Sequence, residues 1–377
     1  MKIVLDATIM EAPKCGIVTS TIGLYRAALQ LEPSMEVICI HRRSLQNQLP
    51  AGVKPDRMSS VLGRGIVRKY FHGDMSWREW AFKTALQKHL PTAVHFPHNG
   101  DVCRQWQGTP IITTLHDVLP LDIPGYFEHV AQSPEEKYRE RTQRDLDLSD
   151  LVITVSDYSR RRIAAHFRLR SEPVVMPWAS PLSPLSATEP PPPAPQHPFF
   201  LYVGGYDFRK GLEPLLRVFG VLHRQGAVVS KLHLTGARNY YSNRFREMVT
   251  EGVAAGYVEE LGCVSDQDLR ALYRTAKALV YPSRYEGFGL PPLEAMSLGC
   301  PVIAVRDTAI PEVCGDAVLY VNPDDERDFG AGLLALEKNA ALCAELRSRG
   351  FQQARQFTWE KTAKKFLSAV RALVKGK

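Results

Sequence analysis

No apolar run in this chain approaches the roughly 18 to 20 residues that a helix needs to cross a bilayer, which argues against a helical membrane span. No two of its seven cysteines form a CxxC pair. Odd in number and scattered from Cys15 to Cys343, they read as reduced thiols of a cytosolic protein, not as a disulfide framework or zinc site. The start, MKIVLDATIM, has no small-residue cleavage site after it and reads as a first buried strand, not a signal peptide. No DxD-type metal pair stands in a useful context, since Asp324-Asp325 in NPDDERD follows a strand end and reads as a turn. No zinc-finger or RNP signature accompanies the formal net charge of +7, so nucleic acid is not the expected partner.

The charge that is present clusters at Arg42-Arg43, from Arg64 to Lys69 and at Arg160-Arg161-Arg162. Basic clusters of this kind suit a phosphorylated ligand or an anionic membrane surface, and the last of them reads as a solvated helix face. With 377 residues, 45% of them hydrophobic, the chain is long enough for two globular domains. The boundary is SPLSPLSATEPPPPAPQHP, where proline is too dense for a helix interior or a central strand and favours an extended spacer.

On each side of this stretch, short apolar runs alternate with amphipathic segments. The strand candidates are KIVLDAT, EVICIH, AVHFPH, IITTLHD, LVITVS and PVVMPW in the first half, and FFLYVGG, KLHLTG, VEELGCV, ALVYPS, PVIAV and AVLYV in the second. Continuous apolar strands alternating with helical segments predict parallel sheets covered on both faces, hence two Rossmann-like α/β domains facing across a cleft. The expected division is an N-terminal domain over 1–180, a linker over 181–198, a second domain over 199–356 and a terminal helix over 357–377.

The chemistry concentrates in YPSRYEGFGLPPLEAMSLGCPVIA. A strand ends at Pro282, and a helix opens with Pro291 and Pro292, where a missing N–H costs little, and stops at Gly299. Gly287 and Gly289 let backbone N–H groups approach an anionic ligand at the helix N-terminus. Glu294, in the first turns, is suited to ribose hydroxyls, and Glu286, at the strand end, to a second polyol. A second strand–glycine–helix turn, FLYVGGYDFRKGLEPLL, puts Arg209 and Lys210 where a helix starts. Cations there oppose the helix dipole, which is understandable if an anion sits between them. The plain structural alternatives are a surface acid, a helix-dipole partner and two solvated cations. Among other polar residues, Ser156 reads as an N-cap, Asp117 as a cap or an orienting partner of His116, and His95 and His98 as structural or acceptor-side residues, not a zinc pair.

EGFGLPPLEAMSLGCPVIA resembles the E-x7-E region of family 4 of the retaining, nucleotide-sugar-dependent glycosyltransferases. VGGYDFRKGLEPLL resembles that family's phosphate-binding turn, and LGCVSDQDLRALYRTAKALVYPS its nucleotide-side segment. ITTLHDVLPL, LVITVSDYSRRRI and KCGIVTSTIGLYRAAL are similar to its N-domain segments, so the resemblance covers nearly the whole chain. It implies the GT-B fold, with the terminal helix crossing back onto an acceptor-binding N-domain. It also implies diphosphate neutralisation by Arg209 and Lys210, with Gly16, Gly204, Gly205 and Val264 on the donor. By the same resemblance, the backbone around Gly287, Phe288, Gly289 and Leu290 holds phosphates and sugar, Glu294 holds the ribose, and Glu286 and His116 sit at the transferred sugar. Many relatives carry Arg where this chain has Gly205, with Lys five residues on; here the Arg stands at 209, beside Lys210.

The implied reaction is metal-independent, retaining transfer of a hexose from a nucleotide-sugar to a hydroxyl of a glycan or lipid-linked acceptor. No cofactor is expected beyond that co-substrate. The similarity of the RKG variant to surface-polysaccharide mannosyltransferases implies GDP-mannose and a role in bacterial polysaccharide, such as lipopolysaccharide, synthesis. A cytoplasmic protein touching the inner membrane face is expected. The competing readings are a GT-B sugar-nucleotide epimerase and a non-catalytic partner subunit of a transferase. A phosphorylase is disfavoured because no pyridoxal-lysine context is found.

Overall fold

The structure, a computed structural model, describes residues 1–11, 15–41, 44–45, 49–57, 74–99, 102, 108–129, 134–182, 189, 195–238 and 242–375, with backbone only at 74–81 and 129. The basic clusters at 42–43 and 64–69 lie outside the described residues. Two compact units divide the chain: Met1–Ala179 with Thr358–Lys377, and Ser180–Phe357.

The first unit carries strands β1 (Lys2–Asp6), β2 (Glu36–His41), β3 (Val53–Arg57), β4 (Ala93–Phe96), β5 (Ile111–Thr114), β6 (Leu151–Thr154) and β7 (Val174–Val175). They form one sheet in the order β3-β2-β1-β4-β5-β6-β7, every pair parallel. β4 and β5 are buried at every position, as strands covered on both faces must be. β3, with sequence VKPDR, was not expected as a strand. It is the exposed edge strand, where Pro55 lacks an N–H that only a further neighbour would need.

The terminal helix Trp359–Lys375 packs within this unit. Its buried Ala363, Phe366, Leu367 and Val370 recur at helical spacing. Phe366 meets Tyr25 edge-on at 5.7 Å, and Thr362 Oγ1 donates to the Pro177 carbonyl at 2.6 Å. Gly23 of the Gly16–Leu31 helix is required there, because a Cβ would stand 2.4 Å from the Trp359 ring.

The second unit carries β8 (Phe199–Val203), β9 (Lys231–Thr235), β10 (Val258–Gly262), β11 (Ala278–Tyr281), β12 (Val302–Val305) and β13 (Leu319–Val321). Their order is β10-β9-β8-β11-β12-β13, again all parallel. The core lies between this sheet and the helices Leu212–Arg224 and Glu326–Lys338, centred on Phe200, Leu215, Phe219 and Phe329. Phe219 is fully buried edge-on to Phe200, and truncating such a residue to Ala costs about 3–5 kcal/mol. Glu189, in the proline-rich stretch, pairs with Arg270 at 2.5 Å and Arg274 at 2.6 Å. Chain order reverses at β8, whose neighbours are β9 and β11, and in open parallel sheets ligands bind outside the carboxyl ends at such a switch point.

Candidate active site

The loops after β8 and β11 meet at the switch point. After β8 the chain runs through Gly204 and Gly205 into a single 3-10 turn, Phe208–Lys210, capped by the Asp207 carboxylate. Gly211 follows in the left-handed conformation, and only then does the Leu212–Arg224 helix begin. Arg209 and Lys210 therefore precede the helix in their own turn instead of opening it, a correction to the sequence-based reading. Gly211 is indispensable to this geometry. A Cβ on it would stand 2.2 Å from the Pro282 carbonyl oxygen, and its φ of +68° is one that L residues rarely adopt. The Arg284 N–H donates to the Arg209 carbonyl at 3.0 Å, so the two loops are joined backbone to backbone.

Three donors converge on one oxygen of Glu286. Oε1 accepts from Lys210 Nζ at 2.5 Å, Tyr281 OH at 2.6 Å and Ser283 Oγ at 2.6 Å. Arg209 Nη1 lies 3.7 Å from the same oxygen and donates to the Tyr285 carbonyl at 2.8 Å. Lys210 Nζ also donates to Tyr281 OH at 3.2 Å. Burial alone would raise the Glu286 pKa, but the two cations and the hydrogen bonds outweigh it and hold the carboxyl below its ordinary range, so Glu286 is ionised. Burial pulls the Lys210 pKa down, with Glu286 opposing. The Glu286 N–H donates to Thr308 Oγ1 at 3.1 Å. Thr308 has φ +54°, a left-handed conformation strained for a β-branched residue.

The Leu290–Ser297 helix starts with Pro at its first positions and Gly289 as a left-handed N-cap. It stops before Gly299, whose φ is +75°. Gly287, Phe288 and Gly289 are buried and Leu290 is half-buried. Glu294, 8% exposed, accepts at Oε2 from the fully buried Tyr273 OH at 2.9 Å. Val264 is half-buried in the loop after β10, beyond β9 from β8. Sequence reasoning thus grouped Arg209, Lys210 and Glu286, which the fold brings together. It missed Tyr281, Ser283, Tyr273, Thr308 and Gly211. Gly211, directly after RK, was open to being found; the rest carry no local signal.

His116 and Gly16 belong to the other unit. His116 follows β5 and is buried. Its Nε2 bonds the Pro97 carbonyl at 2.9 Å, which makes Nε2 the protonated nitrogen and leaves Nδ1 an acceptor. Burial pushes its pKa down to about 4 against that bond. Its backbone N–H donates to Asn99 Oδ1 at 3.0 Å, and Asn99 in turn donates to the Asp117 carbonyl at 2.9 Å. Asp117 Oδ1 itself accepts from the Leu119 N–H at 3.2 Å. Gly16 is exposed at the first position of the Gly16–Leu31 helix, whose N-cap residue makes no side-chain cap bond. His95 is structural: it is buried between Tyr25 OH and Thr114 Oγ1, at 2.8 Å from each. Ser156 caps its helix as expected. The Arg160–Arg162 run is not simply solvated: Arg160 and Arg161 pair with Asp157, and Arg162 with the buried Asp122.

Two parallel α/β units, one with glycine-lined loops and paired charges at its switch point, define a doubly wound protein of the nucleotide-binding type. The family "Glycosyl transferases group 1" matches residues 187–374, and "Glycosyltransferase Family 4" matches residues 16–177. The chain is 33% identical over 271 residues to O-antigen chain mannosyltransferase B of Escherichia coli, covering 70% of each. It is 26% identical over 266 residues to O-antigen chain mannosyltransferase RfbU of Salmonella typhimurium, again covering 70% of each. Sucrose-phosphate synthase from Thermosynechococcus elongatus has the same fold, with a TM-score of 0.79 at 19% identity and full coverage of both chains. WaaG, a glycosyltransferase involved in lipopolysaccharide biosynthesis, superposes with a TM-score of 0.72 at 13% identity over 98% of this chain and 99% of that one. The chain belongs to the group 1, family 4 glycosyltransferases, and its fold is GT-B. Among the described residues, no helix is long and apolar enough to cross a membrane.

Proposed function

We propose that the protein transfers mannose from GDP-mannose, with retention and without a metal, to a hydroxyl of a glycan or lipid-linked acceptor in bacterial surface-polysaccharide synthesis. The observation that carries the reading is the largely enclosed Lys210–Glu286 pair, flanked by Arg209, at the switch point. Two N–H groups of Lys210 are engaged by Glu286 and Tyr281, and its third is left for a phosphate oxygen. The protein donors converge on Oε1 of Glu286, which leaves Oε2 to accept from a sugar hydroxyl. The pair therefore offers a donor to the leaving group and an acceptor to the transferred sugar.

As the glycosidic bond breaks, charge accumulates on the nucleoside diphosphate. Lys210, Arg209 and the N-terminus of the Leu290–Ser297 helix meet it as fixed charges and dipoles, without reorganisation. Glu294 serves the ribose, with Tyr273 holding its other oxygen in place. Gly16 lies beside the diphosphate, and His116 Nδ1 accepts from a sugar hydroxyl. Residues 1–180 hold the acceptor and 199–356 the donor. The relatives' names support mannose and a glycan acceptor. The formal net charge of +7 suits peripheral contact with an anionic membrane.

The reading is tested by thermal shift with GDP, UDP, ADP and their hexose conjugates, with and without EDTA, followed by NMR of the product anomer. Stabilisation by GDP compounds that survives EDTA, and an α-linked product from the α-linked donor, are expected. No shift with any nucleotide would favour a non-catalytic partner subunit, and turnover without acceptor to a rearranged sugar would favour an epimerase.

A further inference from the structure

We propose that the donor-side unit contains a second sugar site, a subsite for a neutral sugar residue of the acceptor glycan additional to the acceptor contacts of residues 1–180, on the opposite side of the Glu286 loop from Lys210. This deepens the transferase reading and rests on it for the word acceptor. A cavity of about 460 Å³ opens outside the carboxyl ends of β12 and β13, within the size range of small-molecule sites. Its polar lining includes Arg284, Arg306, Asp307, Tyr320, Asp324 and Asp328 over a floor that includes Val305 and Val321.

The lining selects the ligand class. Three aspartates against two arginines leave the cavity formally negative, so a phosphate or a sulfate is disfavoured there. Two of the carboxylates already serve the backbone: Asp307 accepts from the Thr308 N–H and Asp328 from the Asn322 N–H, each at 2.6 Å. Arg284 pairs with Asp324 at the rim. Arg306 stacks its guanidinium 4.0 Å from the Tyr320 ring centre, and the Tyr320 hydroxyl is tied to the Gly315 carbonyl at 2.7 Å. Guanidinium donors beside carboxylate acceptors match vicinal hydroxyls, each of which is both donor and acceptor. The stacked Arg306–Tyr320 pair and the valines meet the apolar C–H face of a sugar ring.

Location supplies the second argument. Arg284 and Tyr285 line the cavity and immediately precede Glu286. On the other wall, Asp307 immediately precedes the strained Thr308, which bonds the Glu286 N–H, while the Ala309 N–H donates to the Glu286 carbonyl at 3.3 Å. One loop thus shapes both the cavity and the seat of Glu286, and a sugar bound there would abut the transferred one.

The test is saturation-transfer difference NMR on the full chain with methyl α-mannopyranoside and a linear mannotriose as probes. Wild type is expected to transfer saturation to the mannotriose, and Arg306→Ala and Tyr320→Ala to lose most of that signal. Tyr320→Phe, which keeps the ring, is expected to retain it. Arg306 is exposed, so Arg306→Ala is a variant whose folding is not at stake. In turnover, both alanine variants are expected to raise the acceptor KM about tenfold, the loss of one or two hydrogen bonds, with donor KM and donor hydrolysis without acceptor unchanged. Absence of saturation transfer in wild type, or an undiminished signal in both alanine variants, overturns the subsite. The NMR arm needs no nucleotide, so it gives its answer even if no nucleotide-sugar binds.

Discussion

At the carboxyl-end half of the first sheet, His95 and His116 are buried and held neutral. Burial pushes His95 down to about 3 and His116 to about 4. At the carboxyl ends of the second sheet, the largely enclosed Lys210 and Glu286 are charged, because each is the other's partner and Tyr281 and Ser283 complete the shell. Both units share an all-parallel, doubly wound design, so the difference lies in the loops. Neutral imidazoles add hydrogen bonds but no charge; an end that pre-positions opposite charges suits a ligand that becomes more anionic during reaction.

The comparison is broken most severely at Lys210. Lys210→Ala leaves Glu286 as a buried carboxylate without its main partner. It is expected to lower stability by about 3–5 kcal/mol in urea melts and sugar transfer by a hundredfold or more (on the order of 10²–10³). Transfer at wild-type rate would remove Lys210 from the chemistry.

Gly211→Ala tests whether the loops must touch. The Cβ clash with the Pro282 carbonyl and the positive φ are expected to cost roughly 1–3 kcal/mol and to weaken nucleotide binding, read by thermal shift. The histidine side is sharpened by pH. Both histidines have folded pKa values below their ordinary 6.5, so the unfolded chain binds more protons in the acid range. Their contribution is therefore intact above about pH 6.5 and is lost as pH falls towards 4 and then 3. Stability curves of wild type and His116→Asn are expected to converge on acidification, and the transfer rate to show no break from His116 between about pH 5 and 8. The smallest effect is expected from Tyr273→Phe, which removes one hydroxyl from Glu294 and costs about 1 kcal/mol in urea melts, with a modest rise in donor KM.

Much of the fold was legible because buried parallel strands such as ALVY and VIAV are hydrophobic throughout, and the segments between them carry a helical period. β3 was not, because an edge strand written VKPDR has neither apolar continuity nor alternation. At the site, the two glutamates and the RK pair were legible from spacing and glycine context. The hydroxyls of Tyr281 and Tyr273 were not: each belongs to an element that otherwise reads as core, and only the tertiary fold brings it to a carboxylate. Thr308 was hidden for a different reason, since nothing in RDTAI announces a left-handed threonine.

The helix Trp359–Lys375 completes the first unit although the whole of the second precedes it in the chain. Proteins are made from the N-terminus onward and their domains fold as units during synthesis. On the ribosome, then, Tyr25 and Gly23 wait uncovered while Ser180–Phe357 emerges, and the second unit can close first. A nascent chain halted before Trp359 is an intermediate with one finished half and one open core, the state in which a chaperone has most to bind.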